Sequence, residues 1–276
     1  MPTTHTTQFS RRTLLAAAPA GGLAALLGPT LLAGSPEIAG TEPSMPYLPA
    51  QDPELVQRTV GFSHANVKGV RELVERDPEL AKAAWDWGFG DWETAIGAAS
   101  HTGNREIVEI LLAHGARPDI FTFTMLGDLE VVRAMIAAQP GIQRTWGPHS
   151  ITLLRHAQAG GEKSKPVYDY LLSLGDADVG PVSKPLSDEE RQRYIGLYSY
   201  GPGPLDQFEV SQNKGLLTLE RLKGTPRNLF CQGDHEFMPA GARSVRICFD
   251  VEGDQAVRLH CRNTQLFLTA RRAEGC

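Results

Sequence analysis

Between Asn104 and Gly115 the apolar residues Ile107, Val108, Leu111 and Leu112 recur at i, i+1, i+4 and i+5. That spacing draws one stripe along an amphipathic helix. Asn104 is placed to cap its start and Gly115 to close its end. Just upstream, Thr94 is placed to cap a first helix carrying the small residues Ala95, Gly97, Ala98 and Ala99, and Gly103 breaks the chain between the two. Weaker copies flank this pair. Val70, Leu73 and Val74 follow Gly69; Leu129, Val131, Val132, Met135 and Ile136 follow Gly127; Val167, Leu171 and Leu172 follow Gly161, behind a first-helix pattern from Thr152. After Tyr194 the period changes to two. Phe208 alternates with Val210, Leu217 with Leu219, Val245 with Ile247 and Phe249, and Val257 with Leu259 and Cys261. Turn signals at Gly201-Pro202-Gly203-Pro204, Asn213-Lys214-Gly215, Gly241 and Glu252-Gly253-Asp254 separate these runs. The pattern predicts an α+β chain, with helix pairs first and short antiparallel strands after them.

The segment Asp91–Asp119 resembles an ankyrin repeat, and the wider span from Gly88 to Gly161 resembles a bacterial group of exported ankyrin proteins. The break glycines 69, 103, 127 and 161 are 34, 24 and 34 positions apart, against an ankyrin period of about 33. The resemblance implies about four degenerate repeats over residues 54–180, the third shortened. Pro181 and Pro185 mark a boundary, and Ser187-Asp188-Glu189-Glu190 is a capping box for one short helix. Residues 181–276 form the second expected domain. There Tyr194-Ile195-Gly196-Leu197-Tyr198, Phe208-Glu209-Val210 and Gly215-Leu216-Leu217 resemble the small β-barrel appended to β-lactamase-like serine hydrolases. The expected fold class is therefore a two-domain protein, an ankyrin-type α-solenoid followed by a small antiparallel β-barrel or sandwich. In the hydrolase family the barrel is accessory, which implies a part in assembly and makes homo-oligomerisation through the C-terminal domain one option.

Ser10-Arg11-Arg12-Thr13-Leu14-Leu15 resembles the twin-arginine export motif, and a weakly apolar run follows from Ala16 to Leu32. Pro19 and Pro29 interrupt that run and argue against a stable membrane span. Residues 1–34 read as a signal peptide, and 35–53, with five prolines, as an extended linker. The implied location is periplasmic or secreted. The net charge of −5 becomes −7 without residues 1–34, so no electrostatic case exists for nucleic acid or an anionic membrane surface. All four cysteines, Cys231, Cys248, Cys261 and Cys276, lie in the C-terminal domain and are disulfide candidates in an exported protein. A hairpin turn at Gly253 would face Cys248 away from Cys261, so Cys231 with one of the others is the expected pair.

Two classes of function stay open. Every tryptophan (85, 87, 92 and 146) lies in a segment that joins one helix pair to the next. Trp85, Trp87, Phe89, Asp91 and Trp92, with Trp146 and His149 in a second segment, form the candidate surface for another protein, since exposed tryptophan anchors interfaces. The alternative is a small-ligand-binding protein or hydrolase-like enzyme, with His101, His149 and His156 and the nearby Asp91 lining a pocket as ligands or acid/base groups. No H-x-x-x-H or H-E-x-x-H supports a metal by spacing, and no motif calls for a cofactor. Ser211-Gln212-Asn213-Lys214 fits S-x-x-K, but it occupies a hairpin turn and lacks partner motifs, so no catalytic residue is assigned.

Overall fold

The computed structural model describes residues 50–221, 224–263 and 267–273. The expected signal peptide, linker positions 35–49 and Cys276 lie outside them. Residues 50–276 make one compact unit. Its helical half runs α1 (Pro53–Phe62), α2 (Val67–Arg76), a two-stranded ribbon of β1 (Ala84–Asp86) and β2 (Trp92–Thr94), α3 (Ala95–His101), α4 (Arg105–Ala113), α5 (Ile120–Leu126), α6 (Leu129–Ala138), α7 (Leu153–Ala159) and α8 (Lys165–Leu174). The local signals behave as their chemistry requires. Thr94 Oγ1 accepts from Gly97 N at 3.0 Å and Asn104 Oδ1 from Ile107 N at 3.3 Å, which starts α3 and α4. Asp52 caps α1, so the proline at 53 opens a helix and does not extend the linker.

The expected ankyrin-type α-solenoid is not what forms. A solenoid is quasi-one-dimensional, each repeat touching only its neighbours. Here α3 packs on α1 and α5 and also reaches α7 directly, skipping the pair between them. The helices are short, 7–10 residues, and several are joined or followed by single 3-10 turns. The buried residues split into two clusters, one centred on Leu73, Ile96, Ile107 and Leu111, the other on Ile120, Val132, Leu153 and Leu171. The physical reason lies in the shortened third segment. Pro118 and Asp119 lead straight into α5 without a ribbon, and α7 closes onto α3. At Gly103 (φ +73°) a Cβ would sit 2.2 Å from the Ala159 carbonyl oxygen, so only glycine permits that approach.

The capping box at Ser187 and Glu190 forms and starts α9 (Asp188–Gln192). The strands that follow are β3 (Gly196–Ser199), β4 (Gln207–Asn213), β5 (Leu216–Arg221), β6 (Arg227–Gly233), β7 (Glu236–Pro239), β8 (Arg246–Glu252), β9 (Gln255–Arg262) and β10 (Phe267–Arg272). They close into a barrel in the order β10-β3-β4-β5-β6-β7-β8-β9, every pairing antiparallel. The sandwich alternative is excluded by this closure, which removes the free edges two open sheets would leave. Tyr194, Tyr198, Phe237 and Phe249 fill the interior with edge-on and tilted aromatic contacts.

Among the described residues Cys231, Cys248 and Cys261 form no disulfide with one another, and Cys276 lies outside them. Cys261 pairs in register with Ile247, and Cys248 with His260, so the two side chains face opposite ways; a bulge at Asp250/Val251 shifts the register by one from the pairs beside the turn. Burial pushes the Cys261 thiol up to about 11, which keeps it protonated. Among the described residues, no helix is long and apolar enough to cross a membrane.

Candidate metal centre

The β1–β2 ribbon sets the centre of the site. Strand alternation turns Trp92 and Thr94 outward and Glu93 inward, where it is 1% exposed. A buried carboxylate needs partners, and Glu93 has four. Trp87 Nε1 donates to its Oε2 at 2.7 Å. His64 Nε2 lies 3.4 Å from the same oxygen. His101 Nε2 and His149 Nε2 lie 2.8 Å and 3.4 Å from Oε1. One ligand atom from each of His64, Glu93, His101 and His149 falls within 4.8 Å of all the others. Metal–ligand bonds of about 2.0–2.2 Å place neighbouring ligand atoms roughly 3.3–3.6 Å apart around a tetrahedral ion. His64 and His149 lie at that distance from Glu93, while His101, at 2.8 Å, is hydrogen-bonded to it directly. The donor set of three imidazoles and a carboxylate suits Zn²⁺ and the divalent ions of iron, cobalt and nickel.

Each histidine reaches this point from a different element. His64 follows α1, and its Nδ1 donates to the Gly61 carbonyl at 3.1 Å. His101 is the last residue of α3. His149 sits in a turn at φ +58°, with Ser150 at +61°, a conformation costly for residues with a Cβ. The turn is held by Gly147 N to the Ile151 carbonyl and by an isolated bridge between Trp146 and Thr152.

Asp91, 3% exposed, fixes His149 from behind. Its Oδ1 accepts the His149 backbone N–H at 3.0 Å and its Oδ2 accepts Nδ1–H at 2.7 Å. With Nδ1–H held by Asp91, Nε2 faces Glu93 and would offer its lone pair to a metal on losing its proton, the carboxylate–histidine arrangement typical of metal ligands. The barrel supplies the next support. Arg227 Nη1 donates to Asp91 Oδ2 at 2.9 Å and to the Ala240 carbonyl at 2.7 Å, and Nη2 to the Gly88 carbonyl at 3.2 Å. Gly241, at φ +77°, presses its backbone so close that a Cβ would lie 2.1 Å from Asp91 Cγ. Gly241 N also donates to Ser150 Oγ at 2.8 Å.

The electrostatics follow from this contact set. Burial alone would raise the Glu93 carboxyl, but hydrogen bonds from His101 and His149 and the imidazolium charges reverse that and bring it down to about 2. Asp91, subject to the same opposition, also ends below its ordinary value. Burial would lower His149, yet the bonds to Asp91 and Glu93 push it up to about 9. The free protein therefore holds a cation against two carboxylates at this point.

A cavity of about 330 Å³ opens over the three imidazoles, between His64, His101, His149 and Ile151 on one side and Thr225, Pro226, Arg227, Asn228 and Ala240 of the barrel on the other. The three imidazoles thus border the cavity, and a ligand there would add a fifth position to the four protein donors.

Of the residues singled out in the sequence, His101, His149 and Asp91 come together here. His156 does not. It is fully buried, with Nδ1 donating to the Thr152 carbonyl, and burial lowers it to about 4. Trp85 and Trp87 pack against the helical core and Phe89 against the barrel core. Trp146 is held by a 2.7 Å bond from Nε1 to the Val179 carbonyl, under the Arg243 guanidinium. Trp92 alone of the four tryptophans is mostly exposed, at 63%. His64, Glu93, Arg227 and Gly241 were missed. The inward phase of Glu93 in a Trp-Glu-Thr strand was the one signal available; nothing local marks the others. No protein-family model matches this chain, and a search of curated proteins returns no significant match, so the site geometry carries the functional argument.

Proposed function

We propose that this is a metal-dependent protein in which His64, Glu93, His101 and His149 hold one divalent transition-metal ion, open to a small ligand in the adjoining cavity. The observation that carries this is the convergence of three imidazoles on one buried carboxylate, with His149 backed by Asp91 so that its Nε2 faces inward. A purely structural ion cluster has no need of three histidines from three elements, nor of a cavity above them. Four protein ligands fill a tetrahedral ion, so a small ligand in the cavity would occupy a fifth position, where a metal so held would supply Lewis acidity. The rival reading, a protein-binding surface of tryptophans, draws support from Trp92 and none from Trp85 or Trp87, which are spent on packing.

The test is metal analysis of the full chain, stripped with chelator and reloaded separately with zinc, cobalt, nickel and iron(II). One ion per chain is expected. His101→Ala and Glu93→Gln should each cost more affinity than the roughly 10–100-fold typical of losing an outer-shell partner. Trp92→Ala, on the outer face of β2, should bind as the parent does. No stoichiometric uptake of any of these ions, or uptake unaffected by His101→Ala, sinks the reading.

A further inference from the structure

Resting on that metal reading, we infer that the cavity ligand is a small anionic oxygen donor, such as a carboxylate, bound between the fifth position of the metal and Arg227. The argument is one of charge and of donors. A divalent ion with Glu93 as its one anionic ligand leaves the centre with a single positive charge, and Asp91 and Arg227 cancel each other. Among the described residues, the cavity wall adds no acid. Its residues are three histidines, Ile151, Thr225, Pro226, Arg227, Asn228 and Ala240, with no aspartate or glutamate among them. Among the described residues, Arg227 is the one arginine or lysine of the wall. Its guanidinium spends three N–H contacts on Asp91, Ala240 and Gly88, out of five donors. It is therefore rigidly held with hydrogen-bonding capacity left, the state in which arginine recognises a carboxylate well. Asn228, exposed on the same wall, offers a neutral amide beside it. A neutral ligand would leave both the surplus charge and the spare guanidinium donors without a partner.

The experiment uses the full chain loaded with Co²⁺, whose visible absorption reports its ligands, titrated with acetate and with its neutral isostere acetamide. Acetate is expected to shift the cobalt bands saturably, and acetamide at least tenfold more weakly. Arg227→Gln should cut the acetate response at least tenfold and leave acetamide where it was. Should that variant misfold, Asn228→Asp serves in its place, because it sets a carboxylate on an exposed wall position and should weaken acetate by charge alone. Equal binding of acetate and acetamide, or no acetate response in a cobalt-loaded protein, overturns the inference and leaves the metal reading standing. Failure of cobalt to load at all removes the metal reading, and this inference with it.

Discussion

His156 shows what burial does to a titratable group that finds no ion partner. Its Nδ1 bonds the Thr152 carbonyl, while Nε2 has no hydrogen-bond partner. Burial first, then the charge of His101, hold its pKa near 4, against 6.5 when unfolded, although the backbone bond pulls the other way. The sign follows from linkage. As pH falls below 6.5 the unfolded chain takes the proton and the folded chain does not. The contribution of a neutral His156 is thus complete above pH 6.5 and is lost as pH falls toward 4. At about 1.4 kcal/mol per pKa unit this is on the order of 3 kcal/mol. Chemical denaturation of the metal-free protein at a series of pH values should show that loss, and His156→Leu should flatten the slope between pH 6.5 and 4. Loss of stability confined to pH below 4, where Glu93 titrates from 4.5 toward 2, would place the acid sensitivity at the carboxylates instead.

At the scale of elements, the tightest joint is the one between the β7–β8 connection and the Asp91 segment. Gly241→Ala must place a methyl carbon 2.1 Å from Asp91 Cγ and must do so at φ +77°. Neither demand can be met by a rotamer change, since the Asp91 carboxylate is fixed by His149 and Arg227. The expected cost is at least about 2 kcal/mol, in the range of strained backbone and broken buried networks. Metal affinity should fall together with thermal stability, because the displaced group orients a ligand. A Gly241→Ala protein with lowered stability and unchanged metal affinity would show that Asp91 does not govern His149. The same joint explains what the sequence made legible and what it did not. Helix starts at Thr94, Asn104, Thr152 and Ser187 are decided within three or four residues, and period-two runs such as Phe208 and Val210 announce their strands. Glu93 and His101 are eight positions apart, and His64 and His149 reach Glu93 across 29 and 56 positions, with no i, i+4 spacing to betray them. The glycine spacing of 24 was visible too, but that α7 would close onto α3 because of it depends on packing that no repeat period encodes.

Elements from both halves of the unit from residue 50 onward meet at the proposed metal site. The metal site draws on the end of α1, the β1–β2 ribbon, the end of α3 and the turn before α7, while Arg227 and Gly241 bring in the barrel. A ligand that binds only the folded arrangement stabilises by mass action, about 2.7 kcal/mol at a hundredfold excess over its Kd. For a folded unit of this size, that corresponds to a rise in Tm of roughly 5–10 °C. Because both halves share the site, the gain should appear in a single transition. Calorimetry of the loaded chain should give one peak, shifted upward as metal is raised. Arg227→Met removes the direct ion pair between barrel and Asp91 while leaving the barrel core intact. In that variant the metal should still protect the helical half, and the barrel should melt at a temperature that no longer follows metal concentration. If the two halves of Arg227→Met continue to melt together and rise together with metal, the coupling runs through the other joints, Gly241 on Ser150, Phe89 in the barrel core and Arg243 over Trp146, and the guanidinium is not what joins barrel to site.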